Sequence, residues 1–303
     1  MIFTLKMKKL LILSAILLVI GAVLMLSGFL SAKSADASLF DQTENEDGNY
    51  IRVEEFDPES IKKISLDVSY ADVNIIGGAE SNRIELVNFA NNRYDMTVSA
   101  TTVSIEETSG LSGLFGFGFD GLRNYLNSAR VTSRDKTVNI YLTDASGMRL
   151  IDIDIYSGDV SASGVVADAD FDVSLEYGSV LFERTQTSGE LKVDIAEGNL
   201  DIKGCEIALN TSNLAYGYEN VENSRIMQIN AEIGTGYFKC KTDWALMSSA
   251  VMRLTADAGK VRFGGDIYEN GSFSQGIKYT GISDVVQTVF EVHVAGGNIM
   301  ITE

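Results

Sequence analysis

Leu191–Ile202 reads LKVDIAEGNLDI: apolar side chains at Leu191, Val193 and Ile195, a break at Gly198, then apolar side chains again at Leu200 and Ile202. Alternation with a period of two on both sides of a glycine predicts two short strands that share one buried face and meet at a sharp bend. With the glycine as zero, the apolar positions are −7, −5, −3, +2 and +4, and seven further segments can be written in that register. They centre on Ala71, Gly158, Gly178, Ser212, Gly236, Gly259 and Gly297, so six of the eight bends carry glycine. Gly158, Gly178 and Gly198 lie twenty residues apart, the spacing expected of stacked coils. The sequence therefore predicts an all-β fold, a single-stranded parallel β-solenoid of about eight strand–turn–strand repeats.

Composition agrees. The 303 residues include 28 glycines and one proline, Pro58. Proline cannot donate to a strand ladder, whereas glycine permits tight bends, so the pair of counts suits a continuously hydrogen-bonded β structure. A solenoid grows along one axis, so this length needs no division into several cores.

Leu10 to Leu30 is an uncharged run of 21 residues preceded by Lys6, Lys8 and Lys9. At about 1.5 Å per residue a helix of that length matches the hydrocarbon core of a bilayer. Lysines before the run place the N-terminus in the cytoplasm and the rest outside. Ala35-Asp36-Ala37 offers a competing signal-peptide cleavage site, but the apolar run is longer than a signal core, so an uncleaved anchor is expected. Beyond residue 30 the 42 acids face 21 of the 24 bases, a charge near −21. That sign excludes nucleic acid as a partner and disfavours anionic lipid.

The expected organisation is a cytoplasmic stub and transmembrane anchor (1–30), a polar juxtamembrane linker (31–60) and an extracellular β-solenoid (61–303). Irregular stretches at 76–137 and 265–288 interrupt the repeats and are expected to include caps, because an open solenoid end invites edge-to-edge association. The repeat Phe290–Ile301 is expected to close the stack.

Outward columns support parallel stacking. Position −4 from the Gly158 repeat to the Gly259 repeat reads Asp154, Ser174, Asp194, Ala208, Glu232, Thr255, acid alternating with neutral. Position −6 carries Asp172, Lys192 and Glu206, opposite signs on successive repeats. Cys205 falls at −7 of the Ser212 repeat and Cys240 at +4 of the Gly236 repeat, inward sites where cysteine acts as a small hydrophobe, so no disulfide is expected.

Chemistry is sparse. The single histidine, His293, sits at an outward strand position and cannot alone build a metal cluster or a triad. Carboxylates are the only serious catalytic candidates, Asp152, Asp154, Glu176 and Asp194 among them, and glycosidase chemistry would require two about 5–9.5 Å apart with one pKa raised. They read instead as a solvated face, so neither a catalytic set nor a cofactor or metal site is expected.

Two features suggest partner contact. Lys239 and Arg262 share position +3, with Lys260 nearby, a basic column suited to an anionic wall polymer. Phe115, Phe117 and Phe119 alternate with glycine in Gly110–Gly121, a loop that either caps the first repeat or inserts into a membrane or partner.

The repeats Val193–Ile202 and Phe290–Ile301 (FEVHVAGGNIMI) resemble the bacterial putative-adhesin β-strand-repeat family, which includes LiaG-like membrane proteins of Gram-positive bacteria. The likeness covers most of residues 60–303. It implies a β-solenoid at the cell surface and carries no catalytic residues with it. The expected function is thus a membrane-anchored, non-enzymatic adhesin-like interaction module of the envelope, with envelope or membrane proteins or wall polymer as partners. An accessory of an envelope-stress system and a polysaccharide-acting enzyme are the alternatives.

Overall fold

The computed structural model describes residues 49–57, 59–89, 94–108, 135–143, 145, 147–243, 250–275 and 288–303, with the backbone of 43–44. The proposed anchor 10–30 and the Phe115–Phe119 loop lie outside the described residues. Every regular element among the described residues is a strand, and none is a helix able to cross a membrane.

The chain divides into two units. In the smaller, made of Met1–Arg52, Asn88–Arg93 and Thr108–Asp135, the Tyr50 amide donates to Asn88 Oδ1 at 3.1 Å. The Asn88 amide nitrogen in turn donates to Asn49 Oδ1 and to the Asp135 carbonyl.

The larger unit is the solenoid. Its long strands Asp170–Glu183, Gln186–Lys203, Glu206–Glu222 and Arg225–Lys241 each run through a glycine bend and pair in parallel with the next. Strands Lys63–Tyr70 and Asp72–Gly77 form the Ala71 coil, and Leu150–Ser157 with Val160–Ser163 forms the Gly158 coil stacked on it.

The bends stack into a ladder that only glycine permits. A Cβ at Gly178, Gly198 or Gly236 would lie 1.5–1.9 Å from the carbonyl oxygen of the bend below. The backbones touch there, and φ near +150° at Gly236 is itself a region L side chains rarely adopt. On either side of the ladder the −7, −5, −3, +2 and +4 side chains point inward and are buried, as Leu191, Val193, Ile195, Leu200 and Ile202 show. Each such aliphatic is worth about 1.5–3 kcal/mol of burial, available only when a neighbouring coil covers it.

Four expectations need correction. The bend after Gly198 is Gly217, not Ser212: Gly198 pairs with Gly217, and Val193 with Ser212. The apolar register misplaced it because this coil's inward positions are Asn210, Ser212, Leu214, Glu219 and Val221, three of them polar. The column assignments shift with it. Asn213 replaces Ala208 at −4, Thr211 replaces Glu206 at −6, and Cys205 moves to a corner between Thr185 and Ser224.

Coil order is the second correction. Val289–Thr302, last in the chain, lies between Arg225–Lys241 and the Gly259 coil formed by Val251–Ala256 and Val261–Phe263. It fills an interior slot and does not close the stack. Met300 consequently separates Lys239 from Arg262, so the basic column is interrupted.

Third, Thr102–Glu107 and Thr137–Leu142 make an additional coil under the Ala71 coil, absent from the eight counted in the sequence. Fourth, the sheet is mixed. At one end Arg83–Val87 runs antiparallel to Thr137–Leu142 and Tyr94–Val98 to Thr102–Glu107; at the other Asp266–Tyr268 runs antiparallel to Val261–Phe263 and Ser272–Gln275 to Val251–Ala256. Reversed strands there occupy edges that would otherwise be free to pair with another chain.

The corner six residues after the Gly158, Gly178, Gly198 and Gly217 bends is left-handed. Gly164, Arg184, Gly204 and Asn223 have φ of 51–65°, and the next residue is buried: Val165, Thr185, Cys205, Ser224. Thr185, Cys205 and Ser224 donate from Oγ1, Sγ and Oγ to carbonyls of the coil below. Both cysteines are buried free thiols, Cys240 at the inward +4 position expected and Cys205 at the corner instead of at −7.

Candidate interaction surface

The outward face of the −8 to −1 strands carries the carboxylates. In space the −4 column runs Asp67, Asp154, Ser174, Asp194, Asn213, Glu232, His293, Thr255. A shallow groove of about 500 Å³ follows it, lined by Asp67, Asp154, Tyr156, Glu176, Asp194 and Asn213 among others. Lys192 Nζ bridges neighbouring coils here, 3.0 Å from Asp172 and 3.5 Å from Asp194, and Lys63 pairs with Asp152 at 2.7 Å. Among the described residues no such cation pairs with Asp154. Partial burial, then the charges of Asp67, Asp152 and Asp172, hold its carboxyl above the usual range.

Beside this face runs an aromatic edge that the inward-facing register overlooks. Tyr70, Tyr156, Tyr177, Tyr216 and Tyr237 are 42–61% exposed, five of the nine large hydrophobics left in water among the described residues, and all lie within two residues of a stacked bend. Tyr156 meets Tyr70 at 5.7 Å and Tyr177 at 5.5 Å in edge-to-face contacts, while Tyr218 stacks on Tyr237 at 5.0 Å. The signal was present as tyrosine beside glycine, in Tyr177-Gly178, Tyr216-Gly217-Tyr218 and Gly236-Tyr237. Stacking gathers the tyrosines into two clusters along the bends, Tyr70–Tyr156–Tyr177 and Tyr218–Tyr237, with Glu197 and Asn199 of the Gly198 coil between them.

Inside the solenoid, sequence reasoning also missed a buried polar cluster. Glu219 is fully buried; its Oε1 accepts from Asn210 Nδ2 at 2.7 Å and its Oε2 from Ser212 Oγ. Burial pushes the Glu219 carboxyl up to about 7, against the opposing pull of those two hydrogen bonds. Asn210 Oδ1 is buried without a hydrogen-bond partner. On the next coil, burial raises the Cys240 thiol further, with Glu219 contributing, so it is not a reactive nucleophile.

Of the residues singled out for partner contact, Lys260 is tied to Glu269 at 2.8 Å on the Gly259 coil, in the column of Tyr237 with Asn298 between them and far along the stack from Tyr70, Tyr156 and Tyr177. His293 pairs with Asp257 at 3.0 Å on the surface. Among the described residues no group of three or more His, Cys, Asp or Glu side chains is arranged to hold a metal ion.

Comparison with known proteins gives the following. No curated protein matches the chain. Among solved structures it is similar to a "putative cell adhesion protein" from Clostridium sporogenes, at 14% identity over 84% of this chain and 99% of that one, TM-score 0.34. It is similar also to a "putative adhesin" from Bacteroides fragilis, at 9% identity over 86% and 99% of the two chains, TM-score 0.34. A "putative lipid binding protein" from Parabacteroides distasonis matches at 10% identity over 82% and 96%, TM-score 0.37. The family model described as Toastrack DUF4097 matches residues 61–263, from the Ala71 coil through the Gly259 coil. That match spans about two thirds of the sequence, and the protein belongs to the Toastrack DUF4097 family.

Proposed function

We propose that this protein is a non-enzymatic interaction module of the bacterial envelope, anchored in the membrane by residues 10–30 with its solenoid outside the cell, as in LiaG-like proteins. The observation that carries the reading is the exposed tyrosine edge beside the carboxylate groove. Exposed aromatics that cluster bury area on a partner, whereas scattered ones need no explanation. The uncharged run Leu10–Leu30 after three lysines supports the anchor.

Crosslinking on intact cells tests it. External protease should digest the solenoid while residues 1–30 stay in the membrane fraction. The wild-type chain should crosslink to an envelope component that a Tyr70→Ser/Tyr156→Ser/Tyr177→Ser variant loses. Protection from external protease would end the extracellular reading, and equal capture by the variant would move recognition off the tyrosine edge.

The polysaccharide-cleaving alternative draws on one observation, the raised Asp154 carboxyl in a groove with Asp67. It requires release of reducing sugar from a neutral glycan, abolished by Asp154→Asn. The accessory-protein alternative instead requires that deleting 110–121 abolish membrane-protein crosslinks with the tyrosine variant unaffected.

A further inference from the structure

The tyrosine edge and the acidic face are one surface, because Tyr156 lines the groove together with Asp67 and Asp154. We propose that this strip docks an extended, lysine- or arginine-bearing segment of a partner protein, an inference that rests on the interaction-module reading above.

Charge selects the occupant. The chain carries a net −18, and the groove is lined by four carboxylates, Asp67, Asp154, Glu176 and Asp194, so an anionic polymer or lipid surface is repelled. The protein itself shows how a cation sits there. Lys192 spans Asp172 and Asp194 on neighbouring coils. Asp67 and Asp154 are register partners on neighbouring coils of the same face, and among the described residues no ammonium or guanidinium pairs with either.

The crowding of like charges around Asp154 is relieved by an incoming cation and not by a neutral molecule. The tyrosines add a second, matching preference, since a ring face attracts ammonium and guanidinium groups. This protein already uses that contact elsewhere: the Arg83 guanidinium lies 3.9 Å from the centre of the Tyr141 ring. A cationic side chain entering between Asp67 and Asp154 would have the Tyr156 ring beside it, and Tyr70 and Tyr177 continue the aromatic wall along the stack. A neutral glycan would use the rings but leave the carboxylates uncompensated.

The test is calorimetric titration of the full chain in uncharged-detergent micelles. The probe is an alternating Lys-Ala peptide of about twelve residues, long enough at about 3.3 Å per residue to follow the strip. An alternating Glu-Ala peptide and cellohexaose are the comparisons. The Lys-Ala peptide should bind, and should weaken as salt rises. Tyr156→Ser/Tyr177→Ser and Asp67→Asn/Asp154→Asn should each weaken it by about tenfold. Tyr156→Phe/Tyr177→Phe should retain binding, because the ring and not the hydroxyl is used. Lys260→Ala, on a distant coil, should change nothing, and circular dichroism should confirm that every variant keeps its β content.

No Lys-Ala binding, or binding indifferent to both double variants, overturns the proposal. Cellohexaose binding through the same tyrosines, with the peptide ignored, overturns this partner while leaving the interaction-module reading intact. Failure of all three ligands together with loss of the intact-cell crosslinks would remove both.

Discussion

The Gly198 and Gly217 coils are neighbours in the same stack, paired residue by residue, yet their interiors differ in kind. The first places Leu191, Val193 and Leu200 where the second places Asn210, Ser212 and Glu219. Both share the elements of the coil: glycine at the bend, its Cβ position blocked by the carbonyl below, strands on either side. The coil is therefore specified by its bend and its inter-coil ladder. The core accepts polar side chains when they hydrogen-bond one another across the interior, as Glu219 does with Asn210 and Ser212.

The most damaging way to break this comparison is at the bend. Gly217→Ala puts a Cβ 1.6 Å from the Gly198 carbonyl oxygen, backbone that cannot move aside without opening the ladder. A loss of about 4 kcal/mol or more is expected. A urea midpoint equal to that of wild type would show that the ladder is softer than argued.

The next effect depends on pH. In the folded protein Glu219 titrates at about 7, against 4.5 for an unburied glutamate. Its contribution to stability is fully present below pH 4.5 and lost as pH rises through about 7. The loss is on the order of 3 kcal/mol, from about 1.4 kcal/mol per unit. Glu219→Gln should remove it, so the variant gains on wild type from pH 5 to pH 8 when unfolding is followed at each pH. Parallel curves would mean the carboxyl titrates normally.

Making the second coil like the first sharpens the comparison. Asn210→Leu/Ser212→Val/Glu219→Leu should fold and be at least as stable as wild type at pH 8, because it removes a whole buried polar cluster at once. Asn210→Leu alone should instead cost about 1–3 kcal/mol by leaving the carboxylate with one donor fewer. If the triple variant is the worse of the two, the polar cluster has a structural role that hydrophobic packing cannot replace.

The smallest effect lies at the corners. Arg184 occupies the left-handed corner that glycine holds as Gly164 and Gly204. Arg184→Gly relieves about 1–2 kcal/mol of backbone strain and adds about 0.5–1 kcal/mol of chain entropy to the unfolded state. The net gain should be at most about 1.5 kcal/mol, visible as a slightly higher thermal midpoint.

Much of the fold was legible because alternation about a glycine is local: Leu191–Ile202 announces which side chains face inward without reference to any other part of the chain. The Gly217 coil escaped because the register was sought in apolar residues, and Asn210, Ser212 and Glu219 look outward by type while facing inward in fact. The tyrosine edge escaped for a complementary reason. Each tyrosine reads as an ordinary exposed aromatic until coils about 4.8 Å apart bring them together.

Local sequence alone specified the strand–turn–strand unit, most of the glycine bends, the inward place of Cys240 and the acidic outer face, all properties of residues within a dozen positions of one another. Tertiary structure alone decided the order of the coils, the insertion of Val289–Thr302 between Arg225–Lys241 and the Gly259 coil, and the closure of Glu219 onto Asn210 and Ser212. The physical reason is that every coil offers the same ladder of backbone donors and acceptors on both sides. Which coil stacks on which is then settled by side-chain fit and end capping across the whole molecule, and no local pattern records it.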